Sequence, residues 1–479
     1  MRLIGGALLA ATAVLTFAAG AQAADLPSRK AAAVEYVKIC DVFGRGFYYI
    51  PGTNTCLKVG GRVRFEFAYR PSQNVWVHGR TGGTFTNGAL LDTFGWRSRA
   101  YVNMDARTQT AWGAVQTVVS ISLRSRSGVF GGSAFTPNGQ NTASPQVYAA
   151  YIRFAGFTVG RARGNFYFMP SDMYEPQYYA SSSTGEVQLA YTATFGGGFS
   201  ATLAIEDRTD FGYHERALRA TIPGGGGTPA AAIFPNRDVV AIANLRVDQS
   251  WGQAQIMGAW VPNSGVTCLP PSTGACTAVT DVLQRYRKPG WAVGAGLKLN
   301  LPMLAKGDAI WFMAAYADGA LDFTHSRYPN GNTSHGRMIG GMSVQLANVI
   351  LSSPAAGVLQ TSSPKSWSVA TIMRHYWTPT LRSNFAASYM SISPDSVSKN
   401  LNWYTQGGYG KITAWSVATA LIWSPTSGFD IGLEVAYRKV NNGLTGVGPV
   451  WGTLAAPNTI GVKQNPGDWV SRLRVDRRF

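Results

Sequence analysis

Arginines alternate with apolar residues along one stretch of this chain after another, and that period of two constrains the fold more than any other feature. From residue 57 to 70, Leu57, Val59, Gly61, Val63, Phe65, Phe67 and Tyr69 fall on one side. Lys58, Gly60, Arg62, Arg64, Glu66 and Ala68 fall on the other. Successive side chains of a strand point to opposite faces, so each strand has one greasy and one charged face. The pattern returns in 94–107, where Trp96, Ala100, Val102 and Met104 oppose Arg97, Arg99, Tyr101, Asn103 and Asp105. The last segment sets Trp469, Leu473, Val475 and Phe479 against Arg472, Arg474, Asp476 and Arg478. A soluble sandwich would bury one face in a dry core and wet the other. A membrane barrel inverts that choice, with lipid outside and water inside. Burying Arg62, Arg64, Arg97 and Arg99 in a dry core would cost several kcal/mol per charge, whereas lining a water-filled lumen costs little.

Composition agrees with the inverted choice. Charged residues make up 14% of the chain, against about 25% in ordinary soluble domains, while aromatics reach 12%. A mean hydropathy of -0.03 excludes a bundle of spanning helices. Sixteen strands are expected, near 57–70, 94–107, 111–123, 147–154, 157–163, 187–195, 199–207, 239–249, 252–262, 290–301, 308–317, 367–377, 381–391, 412–423, 429–438 and 468–479. Short connections such as 108–109, 155–156 and 196–198 alternate with long ones such as 208–238, 263–289, 318–366 and 439–467. An all-β, antiparallel up-and-down transmembrane barrel gives this asymmetry, with tight periplasmic turns and long outer loops. Trp112, Trp251, Trp291, Trp311, Trp367 and Trp415 lie near strand starts, and Trp260, Trp377 and Trp423 near strand ends. These positions are expected at the headgroup level, where amphipathic rings collect. Within 318–366, Met338 to Leu351 is apolar enough for a helix or a further strand.

Residues 1–23 read as a signal peptide: Met1-Arg2, an uncharged stretch rich in Ala and Leu, then Ala21-Gln22-Ala23 before the cleavage point. A pre-barrel segment, 24–56, precedes the barrel at 57–479. Export makes disulfides plausible among the four cysteines, Cys40, Cys56, Cys268 and Cys276. Pairing 40–56 and 268–276 is the most local of three connectivities, and no Cys-x-x-Cys or neighbouring His supports a metal.

Two stretches carry a family resemblance. Ala24-Asp25-Leu26-Pro27-Ser28-Arg29-Lys30, then Val34-Glu35-Tyr36-Val37-Lys38-Ile39-Cys40, resembles the mature start of the alphaproteobacterial general porins of the rhizobial type. Gly46-Phe47-Tyr48-Tyr49-Ile50-Pro51-Gly52-Thr53 followed by Cys56-Leu57-Lys58-Val59-Gly60-Gly61 does the same, as does the alternating strand that ends in Phe479. Arg477 departs from the apolar residue more usual two before the end, which weakens that terminal pattern. The resemblance implies a trimer of 16-stranded barrels in the outer membrane, contacting lipid and lipopolysaccharide, and passive diffusion of small hydrophilic solutes and ions. It implies that Phe479 is read by the barrel-assembly machinery. It also implies that the loop after the fifth strand, 164–186, folds inward to narrow the pore.

Electrostatic filtering is the mechanism these residues suggest. Lys58, Arg62, Arg64, Arg97, Arg99, Arg124 and Arg153 are expected in the lumen, joined by Arg472 and Arg474 from the closing strand. Opposite them, by the resemblance, stand Asp172 and Glu175 of the loop. Rings of charge in a pore set ion preference, and the arginine excess points to anions. A substrate-specific, sugar-type channel is the alternative, since Phe166 to Phe168 and Tyr178-Tyr179 could form an aromatic track. An enzyme finds no support: none of the five histidines sits in a recognisable nucleophile or metal motif, and no cofactor motif is present. Nucleic acid is a poor partner despite a pI of 9.9, because the basic residues are spread along strand faces and do not form a patch.

Overall fold

The structure is a computed structural model that describes residues 38–71, 76–78, 85–87, 93–130, 144–170, 172–174, 185–207, 217–220, 239–268, 283–324, 349–352, 360–393, 411–441 and 467–479. The expected signal segment, Glu175 and Cys276 lie outside these residues. Sixteen antiparallel strands close into a barrel. They are β1 (Thr55–Tyr69), β2 (Phe94–Thr110), β3 (Gly113–Arg126), β4 (Ser144–Phe154), β5 (Phe157–Ala162), β6 (Glu186–Gly196), β7 (Phe199–Asp207) and β8 (Val240–Gln249). The second half comprises β9 (Gly252–Val261), β10 (Gly290–Asn300), β11 (Ala309–Asp318), β12 (Lys365–Thr378), β13 (Leu381–Ser393), β14 (Ile412–Thr426), β15 (Phe429–Asn441) and β16 (Gly467–Arg478). Each strand pairs with its sequence neighbour, and β16 returns to β1 in the register Arg64↔Asp476 and Glu66↔Arg474. Closure matters in hydrocarbon, where a free sheet edge would leave backbone groups without partners.

Alternation decides which face each residue takes. Val59, Val63, Phe65, Trp96, Val102 and Leu123 are exposed on the outside, while Glu66, Arg97 and Arg474 are buried inside. At one end of the barrel the connections are tight. Ala155 (φ 48°) and Gly156 (φ 86°) both take positive φ, as a two-residue turn between right-twisted strands requires. The opposite end carries the long connections. There Val349–Ser352 pairs in parallel with Ala217–Ala220 and antiparallel with Gln360–Ser362. The apolar end of Met338–Leu351 therefore contributes a strand to a small separate sheet, and the barrel stays at sixteen.

Two further features shape the lumen. A β-bulge opposite Ser120 and Ile121 leaves Tyr148 as an extra residue on β4, and its hydroxyl accepts a bond from Arg99 Nη1 at 3.3 Å inside the barrel. Trp311 also turns inward. It is only 6% exposed and lies beneath the Arg374 guanidinium at 5.1 Å, so it does not join the outer aromatic belt expected of it. Trp112, Trp251, Trp260, Trp291, Trp367, Trp377, Trp415 and Trp423 are exposed.

Candidate functional site

β16, β1, β2 and β3 are neighbours, so their charged inner faces merge into one wall. Two carboxylates organise it. Glu66, fully buried, accepts bonds on Oε2 from Arg97 Nε at 2.7 Å and Arg99 Nη2 at 2.8 Å. Its Oε1 accepts from Arg474 Nη2 at 2.8 Å and Arg472 Nη1 at 3.5 Å. Asp476 pairs with Arg64 at 2.5 Å, Arg478 at 3.4 Å and Arg62 at 3.7 Å. Seven guanidiniums thus converge on Glu66 and Asp476, Glu434 faces Arg472 from β15, and basic groups outnumber acidic ones among these residues. Aromatic faces hold several of these planes in place: Arg62 lies 4.0 Å from the Tyr101 ring centre and Arg97 4.4 Å from that of Phe130. Arg124 faces Arg99 across the β2–β3 ladder. Lys58 sits lower on β1, 5.8 Å from the Phe47 ring.

The opposite arc is apolar. Ala204, Val240, Ile242, Met257, Ala292 and Met313 line it, and Phe166, Tyr167, Phe168 and Met169 of the 164–186 loop are buried in the same cluster. Glycines make room for them, since a methyl group at Gly294 would approach Phe166 to 3.0 Å and one at Gly296 would overlap Phe168. The loop root is tied by Asn165, whose N–H donates to Glu206 at 2.7 Å and whose side-chain amide donates to Gln188 at 2.6 Å. Farther along, Asp172 accepts from Arg374 Nε at 2.9 Å, while Asn384 donates to the Asp172 carbonyl at 3.0 Å. The chain then reaches the basic wall. The Tyr174 N–H donates to Glu434 at 2.7 Å, its carbonyl accepts from Arg472 at 2.5 Å, and Arg474 lies 3.7 Å from its ring centre. Burial pushes the Tyr174 hydroxyl pKa up to about 12, so the ring meets Arg474 as a neutral phenol.

Among the candidate residues, Lys58, Arg62, Arg64, Arg97, Arg99, Arg124, Arg472 and Arg474 lie on the shared wall. Arg153 stands apart, opposite Gln116 on the β3–β4 ladder near the tight-turn end. Asp172 is bonded to Arg374 and Asn384 and not to the wall. Sequence reasoning passed over Glu66, Asp476, Arg374, Glu434 and Tyr174 as organising groups. Glu66 carried a signal, being the sole acid on its own strand face.

At the tight-turn end, Cys40 and Cys56 are joined in a disulfide with Cα atoms 5.9 Å apart. The closed loop packs Phe43, Phe47 and Tyr49 around the two sulfurs. Cys268 ends the hairpin strand Ser264–Cys268. The final residue, Phe479, exchanges backbone bonds with Gly61 at 2.9 and 3.1 Å.

Comparisons with known proteins agree with this architecture. A family profile described as the porin subfamily matches residues 25–464. Porin Omp2a of Brucella melitensis is 28% identical over 320 residues, covering 62% of this chain and 80% of its own. Porin Omp2b of Brucella canis is 32% identical over 316 residues, covering 61% and 79%. The outer membrane channel DcaP of Acinetobacter baumannii shares the fold, with a TM-score of 0.52 at 13% identity over 90% of this chain and 99% of that one. A closed sixteen-stranded barrel with a greasy exterior and a charged interior, matched by the family profile over most of its length, belongs to the porin subfamily and forms a channel in the outer membrane.

Proposed function

We propose that this porin conducts small hydrophilic solutes with a preference for anions, set where the 164–186 loop meets the arginine wall. The observation that carries this reading is the convergence of seven guanidiniums on Glu66 and Asp476 on the inner face of β16, β1 and β2. A wall with that excess raises the local concentration of anions and lowers that of cations over about one Debye length, ~8 Å at physiological salt. Solutes pass through the space left between the wall and the loop. The apolar arc beneath the loop is already covered by Phe166 to Met169, so solutes do not have to wet it. Asp172 contributes a weaker opposing field, since Arg374 offsets it.

A homotrimer in contact with lipid and lipopolysaccharide, assembled through recognition of Phe479, completes the reading. The exposed outer row of Val59, Val63, Phe65, Trp96 and Val102 suits contact with either a second copy or acyl chains. Liposome swelling tests the filter. A monoanionic sugar acid should enter protein-loaded vesicles faster than an aminosugar cation of equal size, and a faster cation would overturn the proposal.

A further inference from the structure

A second basic feature lies below the loop root, toward the tight-turn end, apart from the wall of seven arginines. It is a recess of about 520 Å³ on the inner side of β2 to β6. Arg107, Arg153 and Arg163 line it together with Gln116, Gln188 and Asn165, and the carboxylates at its edge, Asp105 on Arg107 and Gln116 and Glu206 on Asn165, leave Arg153 and Arg163 as its cations away from Asp105. Its volume lies within the range of small-molecule sites, roughly 300–1,000 Å³.

Each guanidinium is oriented before any solute arrives. Arg107 makes a two-pronged bond to Asp105, at 3.0 and 2.8 Å, and lies 5.0 Å from the Phe47 ring centre of the disulfide-closed loop. Arg153 is held 4.7 Å from the Tyr151 ring centre. Arg163 donates to the Met169 carbonyl at 2.9 Å and lies 3.9 Å from the Tyr167 ring centre. The amides are ordered too: Gln188 donates to the Arg163 carbonyl at 3.0 Å and accepts from Asn165 at 2.6 Å. Planar cations fixed against rings lose little freedom on meeting a carboxylate, which favours two-pronged recognition. Thr192 and Thr194 add hydroxyls to the floor.

The geometry points to a solute station in this recess for small hydroxylated carboxylates bearing two or more negative charges. The carboxylates would meet Arg153 and Arg163, with Arg107 offering only the edge that Asp105 leaves open, and the solute hydroxyls would meet the amides and threonines. The station deepens the anion-preferring reading and rests on it, but occupies a different stretch of the path. It lies on the periplasmic side of the loop root, so a solute that has passed the wall is handed to a second set of cations.

Citrate is the probe, added to single channels in a planar bilayer with potassium chloride as the background salt. Citrate at millimolar concentration should produce resolvable blocking events, and more readily from the tight-turn side than from the long-loop side. Arg153→Gln should raise the half-blocking concentration at least tenfold, consistent with loss of a charge-assisted hydrogen bond. Arg153→Lys should recover part of the block. Thr194→Val, a milder change, should raise it a few-fold, and heat-modifiable migration of either variant in gel electrophoresis shows that the barrel has assembled. Absence of block in the unaltered protein, equal block from both sides, or a half-blocking concentration unmoved by Arg153→Gln would overturn the station. If block is absent while the zero-current potential still favours chloride, the station alone fails; if that potential favours potassium, the anion-preferring reading fails with it.

Discussion

Replacing Glu66 with Gln removes the charge on which Arg97, Arg99, Arg472 and Arg474 converge. The substitution keeps the shape and one acceptor oxygen, so its effect is mainly electrostatic. Removing one partner of a buried ion pair costs about 3–5 kcal/mol, and here four cations are left facing one another. The retained amide places E66Q near 3 kcal/mol. In detergent micelles the urea midpoint should fall, by about 1–3 M for a slope of about 1–3 kcal/mol/M. The channel should change as well. For an ion passing about 8 Å from the lost charge, an effective dielectric of 20–80 gives about 0.5–2 kcal/mol. Screening over one Debye length cuts this to roughly 0.2–0.8 kcal/mol. That is a change of about 1.4- to 4-fold in partitioning, upward for anions and downward for cations. Zero-current potentials of the two proteins in the same salt gradient measure it. An unmoved urea midpoint together with a shift toward cations would refute the role given to Glu66.

Other perturbations follow from the same contacts. Gly432→Ala would drive a methyl group into the Tyr174 hydroxyl, so the loop should lose its seat on the wall and single-channel conductance should change, while Ala436→Gly on the same strand should leave it near the original value. Tyr174 has a pKa of about 12 in the folded barrel against an ordinary value of 10.0. Its contribution to stability is therefore complete below about pH 10 and is lost as pH rises toward 12, so Tyr174→Phe should soften the alkaline loss of stability measured by tryptophan fluorescence. Cys56→Ser opens a disulfide spanning a sequence separation of 16, which should lower stability by about 3 kcal/mol as read by urea midpoints with and without reductant.

The strands were legible because a barrel between lipid and water imposes opposite demands on its two faces. Arg62 and Arg64 flanked by Val63 and Phe65 admit only one orientation in such a wall. Trp311 shows where that logic stops. Its strand is apolar on both faces, with Trp311, Met313 and Ala315 alternating with Phe312, Ala314 and Tyr316, so parity gave no direction and nearness to a strand end misled. The grouping of four arginines on Glu66 depends on register across β16, β1 and β2, which local pattern does not encode. The landing of Tyr174 on Arg472 and Arg474 joins residues nearly 300 positions apart, and only the closed barrel brings them together. Pairing of Cys40 with Cys56 was more accessible, because the two flank a short turn-rich stretch.

Ion preference tests the account most directly. Purified protein in a planar bilayer with a tenfold gradient of potassium chloride should give stepwise conductance and a zero-current potential displaced toward the equilibrium potential of chloride. A displacement toward that of potassium would contradict it, because it would mean that the guanidiniums on β16, β1 and β2 do not govern the water through which ions pass.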